Sequence, residues 1–88
     1  MTVRPTVHIV KRNDPLAMDL ICRQSEKNPV TVILIQEAAR ESVRLTFPSH
    51  AVSVFVLQDD TPEDARYPRI DYPKVLDMIF SADRVMVW

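Results

Sequence analysis

Cys22 is the only thiol in this 88-residue chain, and a cysteine thiolate can act as a nucleophile or carry sulfur. Asp19 and Glu26, at i−3 and i+4 on the predicted helix, bring negative charges that oppose an anionic sulfur. Cys22 also lies two turns into that helix, beyond the reach of the dipole at its amino end. The local sequence therefore favours a packing or interface thiol, and Met18, one turn earlier, is predicted to share that exposed face as a scattered surface pair or a subunit contact.

The two histidines and the acidic segment do not form a metal-ligand pattern. His8 lies in an apolar strand-like segment without a cysteine or second histidine at ligand spacing, which predicts a packed or edge residue. His50 falls in a predicted connector loop. Residues 58–66 hold four carboxylates, but Thr61-Pro62-Glu63-Asp64 resembles a helix cap followed by first-turn acids. We therefore expect no metal site.

Composition excludes several classes of ligand. The chain has no glycine, and both the Walker loop and the dinucleotide fingerprint need glycine where backbone approaches phosphate. With 11 basic and 12 acidic residues the net charge is −1, so no overall field attracts nucleic acid or acidic lipid. The sequence predicts no cofactor, no direct nucleic-acid binding and no membrane association.

The apolar run at residues 30–35 fixes the fold class. Six β-branched or aliphatic residues with one threonine are typical of a strand buried on both faces. Similar runs at residues 7–10, 51–57 and 85–88 predict three neighbouring strands. Asp14-Pro15 is a helix start, with Asp as the N-cap, and the helix should extend to about residue 27. The stripe predicted to face the sheet consists of Leu16, Ala17, Leu20, Ile21 and Gln24.

Two further helices complete the pattern. Residues 36–45 are predicted to turn Ala38, Ala39, Ser42 and Val43 inward. Pro73 is predicted to open the last helix, with Val75, Leu76, Ile79 and Phe80 facing the sheet. The order β-α-β-α-β-turn-α-β predicts one small three-layer α/β domain over residues 1–88. Its four-stranded, mainly parallel sheet should have strand order 2-1-3-4.

The predicted location is the cytoplasm. A single cysteine cannot form an internal disulfide, the first residues do not resemble a signal peptide, and no apolar run approaches the roughly 20 residues of a membrane span.

A ligand or partner site is expected beyond the carboxyl ends of the strands, where open parallel sheets gather their ligands. Seven residues should lie there: Lys11, Arg12, Gln36, Glu37, Gln58, Asp59 and Trp88. They offer groups that orient a small ligand or a partner's loop, but no serine or threonine follows a strand beside a histidine. An autonomous enzyme is therefore not favoured. Trp88 is expected either to contact a partner or to fold over the end of the sheet.

Ile70-Asp71-Tyr72, followed by a helix and a strand that ends in Trp88, resembles the close of the TusB/DsrH family of sulfur-relay subunits. The apolar second strand leading into Gln36-Glu37 is also similar to that family. The resemblance covers nearly the whole chain, and its most specific part is residues 70–88. It implies a DsrEFH-like fold.

The resemblance implies a subunit that works with TusC/TusD-like or DsrE/DsrF-like chains. In such complexes a persulfide travels on a cysteine of the TusD/DsrE-type chain, toward wobble-uridine 2-thiolation of tRNA or in dissimilatory sulfur oxidation. The TusB/DsrH-type chain is then a non-catalytic structural or docking subunit. Two alternatives remain open. One is a homo-oligomeric binding or regulatory protein, which is favoured by the absence of glycine and by the short acidic turn between Leu57 and Ile70. The other is a sulfur carrier that uses Cys22 as an accessory acceptor.

Overall fold

The computed structural model describes residues 6–47, 52–60 and 67–88. Its strands are β1 (Thr6–Val10), β2 (Val30–Leu34), β3 (Val52–Leu57), β4 (Arg69–Ile70) and β5 (Arg84–Val87), and its helices are α1 (Pro15–Ser25), α2 (Gln36–Arg40) and α3 (Tyr72–Ser81). The predicted N-cap is confirmed, because the Asp14 carboxylate accepts a hydrogen bond from the Leu16 backbone N–H at 2.9 Å. The predictions for His50 and for residues 61–66 lie outside the described residues.

All five strands are parallel and lie in the order β4-β3-β2-β1-β5. The α/β class with a parallel sheet is confirmed, but the predicted four strands and the order 2-1-3-4 are wrong. The second strand, not the first, takes the centre, since Val30, Val32, Ile33 and Leu34 are all buried and need cover on both faces. Arg69–Ile70, which lie between the third predicted strand and the last predicted helix, pair with β3 as an additional edge strand.

Helices cover the two faces of the sheet unequally. On one face, Ile21 of α1 and Ala38 and Ala39 of α2 pack with Val10, Val32 and their neighbours in one buried cluster. On the other face, α3 alone contributes Val75 to a smaller cluster around Val7 and Ile33. The described residues therefore form a three-layer sandwich in which one face of the sheet has two helices and the other has one.

The buried side of α1 is rotated from its predicted position by less than one residue step. Ala17, Ile21 and Ser25 are buried, and Met18 packs against the core cluster. Leu16, predicted to face the sheet, is 74% exposed. The apolar pattern of α1 is wide enough to allow both orientations, and contact with the sheet selects the one that buries Ser25 and leaves Leu16 exposed.

The last two helices differ from prediction at their edges. α2 ends at Arg40, and a 3-10 turn over Ser42–Arg44 follows it. In α3, which begins at Tyr72 behind an Asp71 cap, Val75 is buried and Ile79 half-buried as predicted. Leu76 and Phe80 are exposed instead, because one helix on a flat sheet buries a narrower arc than the apolar stripe spans. No helix among the described residues is both long and apolar enough to cross a bilayer.

Candidate functional site

The carboxyl ends of the strands meet at one edge, as the sequence predicts for a parallel sheet. Val10 pairs with Leu34, Leu34 pairs with Val56, and Ile9 pairs with Val87. The Ile35 N–H donates to the Val10 carbonyl oxygen at 3.0 Å, and the Trp88 N–H donates to the Ile9 carbonyl oxygen at 2.9 Å. The segments that follow these strands therefore share this edge of the sheet.

The predicted site residues lie at this edge, and most of their side chains are exposed. Lys11, Arg12, Gln36, Glu37, Gln58 and Asp59 are all exposed, and Trp88 is half-buried. The loop after β1 is joined to α2, because the Ala38 N–H donates to the Lys11 carbonyl oxygen at 3.0 Å. Within the described ranges, no three His, Cys, Asp or Glu side chains are grouped so that they could hold a metal ion. The edge thus presents polar and charged side chains to solvent.

Gln36 adopts a backbone conformation that usually requires glycine. Its φ is +51°, the only positive value among the described residues. Only Ile35 separates the end of β2 from α2, so the chain must turn sharply here. A residue with a Cβ in the left-handed region costs roughly 1–2 kcal/mol relative to its usual conformations. In a chain without glycine, this strain falls on the first residue of α2.

His8 is fully buried in β1 and both of its ring nitrogens are hydrogen-bonded. Trp88 Nε1 donates to His8 Nδ1 at 2.9 Å, and His8 Nε2 lies 2.6 Å from Gln24 Oε1. Because an indole N–H can only donate, Nδ1 must carry a lone pair, and Nε2 carries the proton it gives to Gln24. The imidazole and indole rings are also nearly parallel, with centroids 6.1 Å apart and planes 17° apart. The network thus selects one neutral tautomer.

Burial lowers the pKa of His8 below its ordinary value of 6.5, and the hydrogen bond with Gln24 partly opposes this shift. Both ring nitrogens of His8 are already hydrogen-bonded within the protein, so neither is free to bind a substrate. The predicted packed histidine is confirmed, and Trp88 folds over the end of the sheet against the core cluster. The predicted sheet-facing stripe of α1 included Gln24. The hydrogen bond between His8 and Trp88 was not predicted, because the incorrect strand order separated His8 from the last strand.

Of the two predicted interface residues, only Cys22 is exposed. Its carbonyl oxygen accepts a hydrogen bond from the Ser25 hydroxyl at 2.7 Å. Asp19 and Arg23, on the outer side of the same helix, form an exposed ion pair at 3.0 Å. Met18 is half-buried and packs against the core, so it does not form an exposed pair with Cys22.

A large apolar surface that the sequence did not predict lies on α3. Tyr72, Leu76 and Phe80, spaced i, i+4 and i+8, are all exposed, and Phe80 is 81% exposed. This spacing places them on one side of the helix, and we refer to them as the α3 stripe. The sequence contains a signal for this surface, because the apolar residues of α3 extend around more of the helix than one contact with the sheet can bury.

The opposite side of α3 is polar and borders a shallow pocket. The pocket is lined by Lys74, Asp77, Met78 and Ser81 of α3 and by Val7 and Thr31 of the sheet. Val7 and Thr31 lie near the amino ends of their strands, so this pocket lies away from the predicted edge. The two sides of α3 therefore differ sharply in polarity.

The chain matches no protein-family model, no curated protein and no solved structure. The resemblance to sulfur-relay subunits stays a prediction.

Proposed function

We propose that this chain is a non-catalytic docking subunit of a cytoplasmic sulfur-relay complex, of the kind formed by TusB/DsrH-like proteins. Its partners would be TusC/TusD-like or DsrE/DsrF-like chains, and the pathway would be tRNA wobble-uridine 2-thiolation or dissimilatory sulfur oxidation. The observation that carries the proposal is the α3 stripe. Tyr72, Leu76 and Phe80 are large side chains held in water on a regular helix.

The size and composition of the stripe support a protein contact. Its three side chains expose roughly 300–400 Å², which is within the range of patches that mark interaction sites. Two of the three are aromatic, and aromatic side chains are enriched at the centres of interfaces. A related α/β chain presenting an apolar helix would cover the stripe by ordinary helix packing.

The state of His8 supports a subunit without its own chemistry. Its ring nitrogens are engaged by Trp88 and Gln24, so the imidazole is held as a structural element and not aimed at a substrate. The polar groups at the carboxyl edge are exposed, so a partner's loop could reach them.

Co-expression with candidate partner chains from the same genome tests this proposal. The expected result is a stable hetero-oligomer, seen by affinity capture and native mass spectrometry. Phe80→Asp should weaken it about thirtyfold or more, as expected when an interface anchor is lost. Leu16→Asp is the matched control, because Leu16 is also exposed, at 74%, but lies on α1 at the other face of the sheet.

Both variants should keep the far-UV circular dichroism and unfolding midpoint of the parent chain, since both side chains are exposed. A chain that never co-purifies with such partners would overturn the proposal. Equal loss of the complex in Phe80→Asp and Leu16→Asp would show that the α3 stripe is not the contact surface.

The exposure of Cys22 favours a second candidate, in which this thiol accepts sulfur from a partner. Incubation with a persulfide donor should then add one sulfur to Cys22, and Cys22→Ser should abolish the gain. Mass spectrometry of the intact chain measures this directly. No added sulfur on the parent chain would exclude the carrier role while leaving the docking role intact.

A further inference from the structure

The two edges of the sheet are protected to different degrees. β4 consists of only Arg69 and Ile70, with Pro68 directly before it, and short strands beside proline resist pairing with other chains. β5 is longer and has no proline, no bulge and no charge after Arg84. Among the described residues, no strand lies outside β5. This edge therefore has fewer of the usual features that prevent strand addition than the β4 edge has.

Within the part of the chain that the structure describes, the backbone groups on the outer side of β5 have no strand to pair with. The Trp88 N–H donates inward to the Ile9 carbonyl oxygen at 2.9 Å. Because backbone groups alternate in direction along a strand, Arg84 and Met86 also point toward β1, whereas the N–H and C=O of Val85 and Val87 point outward. Two donors and two acceptors are thus directed away from the sheet.

We propose that β5 pairs with β5 of a second copy of this chain, antiparallel, with Val85 opposite Val87 of the second copy. A two-fold axis then passes between Met86 and Met86 of the second copy, and the two five-stranded sheets become one continuous sheet. Each Val85–Val87 pair is of the hydrogen-bonded type, in which both residues exchange their N–H and C=O groups. The symmetry produces this pair twice.

The side chains of β5 fit this register. Val85 and Val87 are in register with Val7 and Ile9, so all four lie on the α3 face, and Val87 is 63% exposed. The pairing sets these valines side by side across the axis. On the other face, Arg84 is opposite Trp88 of the second copy. A guanidinium beside an indole face gains a cation–π interaction, which makes the edge complementary to itself.

Neighbouring registers use the strand less fully. Pairing Val85 with Val85 of the second copy would set Val87 opposite Asp83, which lies outside β5, and would lose the match between Arg84 and Trp88. The self-complementary register therefore favours a second copy as the occupant of this edge. Since a four-residue strand covers less than the roughly 800 Å² per partner of a standard interface, we expect micromolar dissociation.

This inference does not rest on the proposed function, and the isolated chain tests it. Sedimentation equilibrium across about 1 µM to 1 mM should show a monomer–dimer equilibrium, consistent with micromolar affinity. Val87→Pro removes one outward donor from each copy while leaving the pairing with β1 intact, so it should raise the dissociation constant about tenfold or more. Val87→Thr, which keeps the N–H and the β-branched shape, is the matched control.

Val87→Lys provides a second variant that keeps the backbone donor, and it should also weaken the dimer because two ammonium groups would approach across the axis. A chain that stays monomeric at every concentration would overturn the proposal. So would a dimer that Val87→Pro and Val87→Lys leave unchanged. Capture of sulfur-relay partners is measured with the Phe80 variant, so the failure of either proposal can be recognised separately.

Discussion

The indole N–H of Trp88 donates to Nδ1 of His8 across 2.9 Å, joining residues 80 positions apart in sequence. This bond holds the last described residue against the first strand and selects the histidine tautomer whose other nitrogen donates to Gln24. One interaction thus connects β5, β1 and α1. Its contribution to stability can be measured directly.

Trp88→Phe should destabilise the fold. Phenylalanine keeps most of the ring packing but removes the donor, which leaves a buried Nδ1 unpaired at a cost of about 1–3 kcal/mol. Urea unfolding followed by circular dichroism measures the change. Tyr72→Phe is the control, because Tyr72 is exposed and its substitution should shift the free energy of unfolding by less than about 0.5 kcal/mol. Equal effects of the two substitutions would contradict the assigned bond.

Stability should fall as the pH drops below about 6.5, the ordinary histidine value. The folded-state pKa of His8 is lowered by burial, so the unfolded chain binds the proton more readily. The contribution of neutral His8 is therefore complete above about pH 6.5 and is lost progressively as the pH falls toward the folded-state pKa. Protonation would also set an Nδ1–H against the indole N–H.

Urea unfolding of the parent chain and of His8→Gln at several pH values between about 5 and 8 isolates this effect. All other titratable groups are the same in both proteins, so the difference between the two free energies of unfolding reports on His8. That difference should depend on pH mainly below about 6.5. A difference that is constant across the range would show that His8 does not titrate differently on folding.

Gln36→Gly should be more stable than Gln36→Ala. Both remove the side chain, so the comparison isolates the backbone, whose φ is +51° at this residue. Glycine relieves the left-handed strain, and the advantage over alanine should be about 1 kcal/mol. The usual helix ranking, in which alanine exceeds glycine, would be reversed here. Thermal unfolding of the two variants decides the matter; a more stable alanine variant would argue against the observed conformation.

Ser42→Ala should be neutral or slightly stabilising. The Ser42 Oγ is buried without a hydrogen-bond partner among the described residues, and alanine removes this unpaired group at little cost in volume. Ser25→Ala is the comparison, because the Ser25 hydroxyl donates to the Cys22 carbonyl oxygen at 2.7 Å. It should lose about 1 kcal/mol. If Ser42→Ala proves the more harmful substitution, the Ser42 hydroxyl has a partner in solution.

The sequence was most informative where one segment determines its own surroundings. Residues 30–35 carry enough β-branched side chains to identify a strand covered on both faces, and Asp14-Pro15 begins a helix by local chemistry. Strand order depends on which segments find each other at long range. The unbroken apolar run at residues 30–35 is the feature from which the central position of β2 could have been predicted.

The site was harder to predict than the class. The residues at the carboxyl edge follow from parallel strands alone, so their shared location was foreseeable. The His8–Trp88 bond was not, because it depends on β5 lying beside β1. The exposure of Leu76 and Phe80 depends on how much of α3 a single sheet contact can cover, and apolar periodicity does not report that width.

The neighbouring positions of β1 and β5 have a consequence for biosynthesis. When the first three strands have emerged from the ribosome, one side of β1 still has no neighbouring strand, and His8 has no indole to bind. β5 can pair with β1 only after Val85 to Trp88 have left the exit tunnel, so this side of the sheet forms late in translation. Until then the nascent chain has an apolar strand that is paired on one side only, and a chaperone would be of most use during this interval.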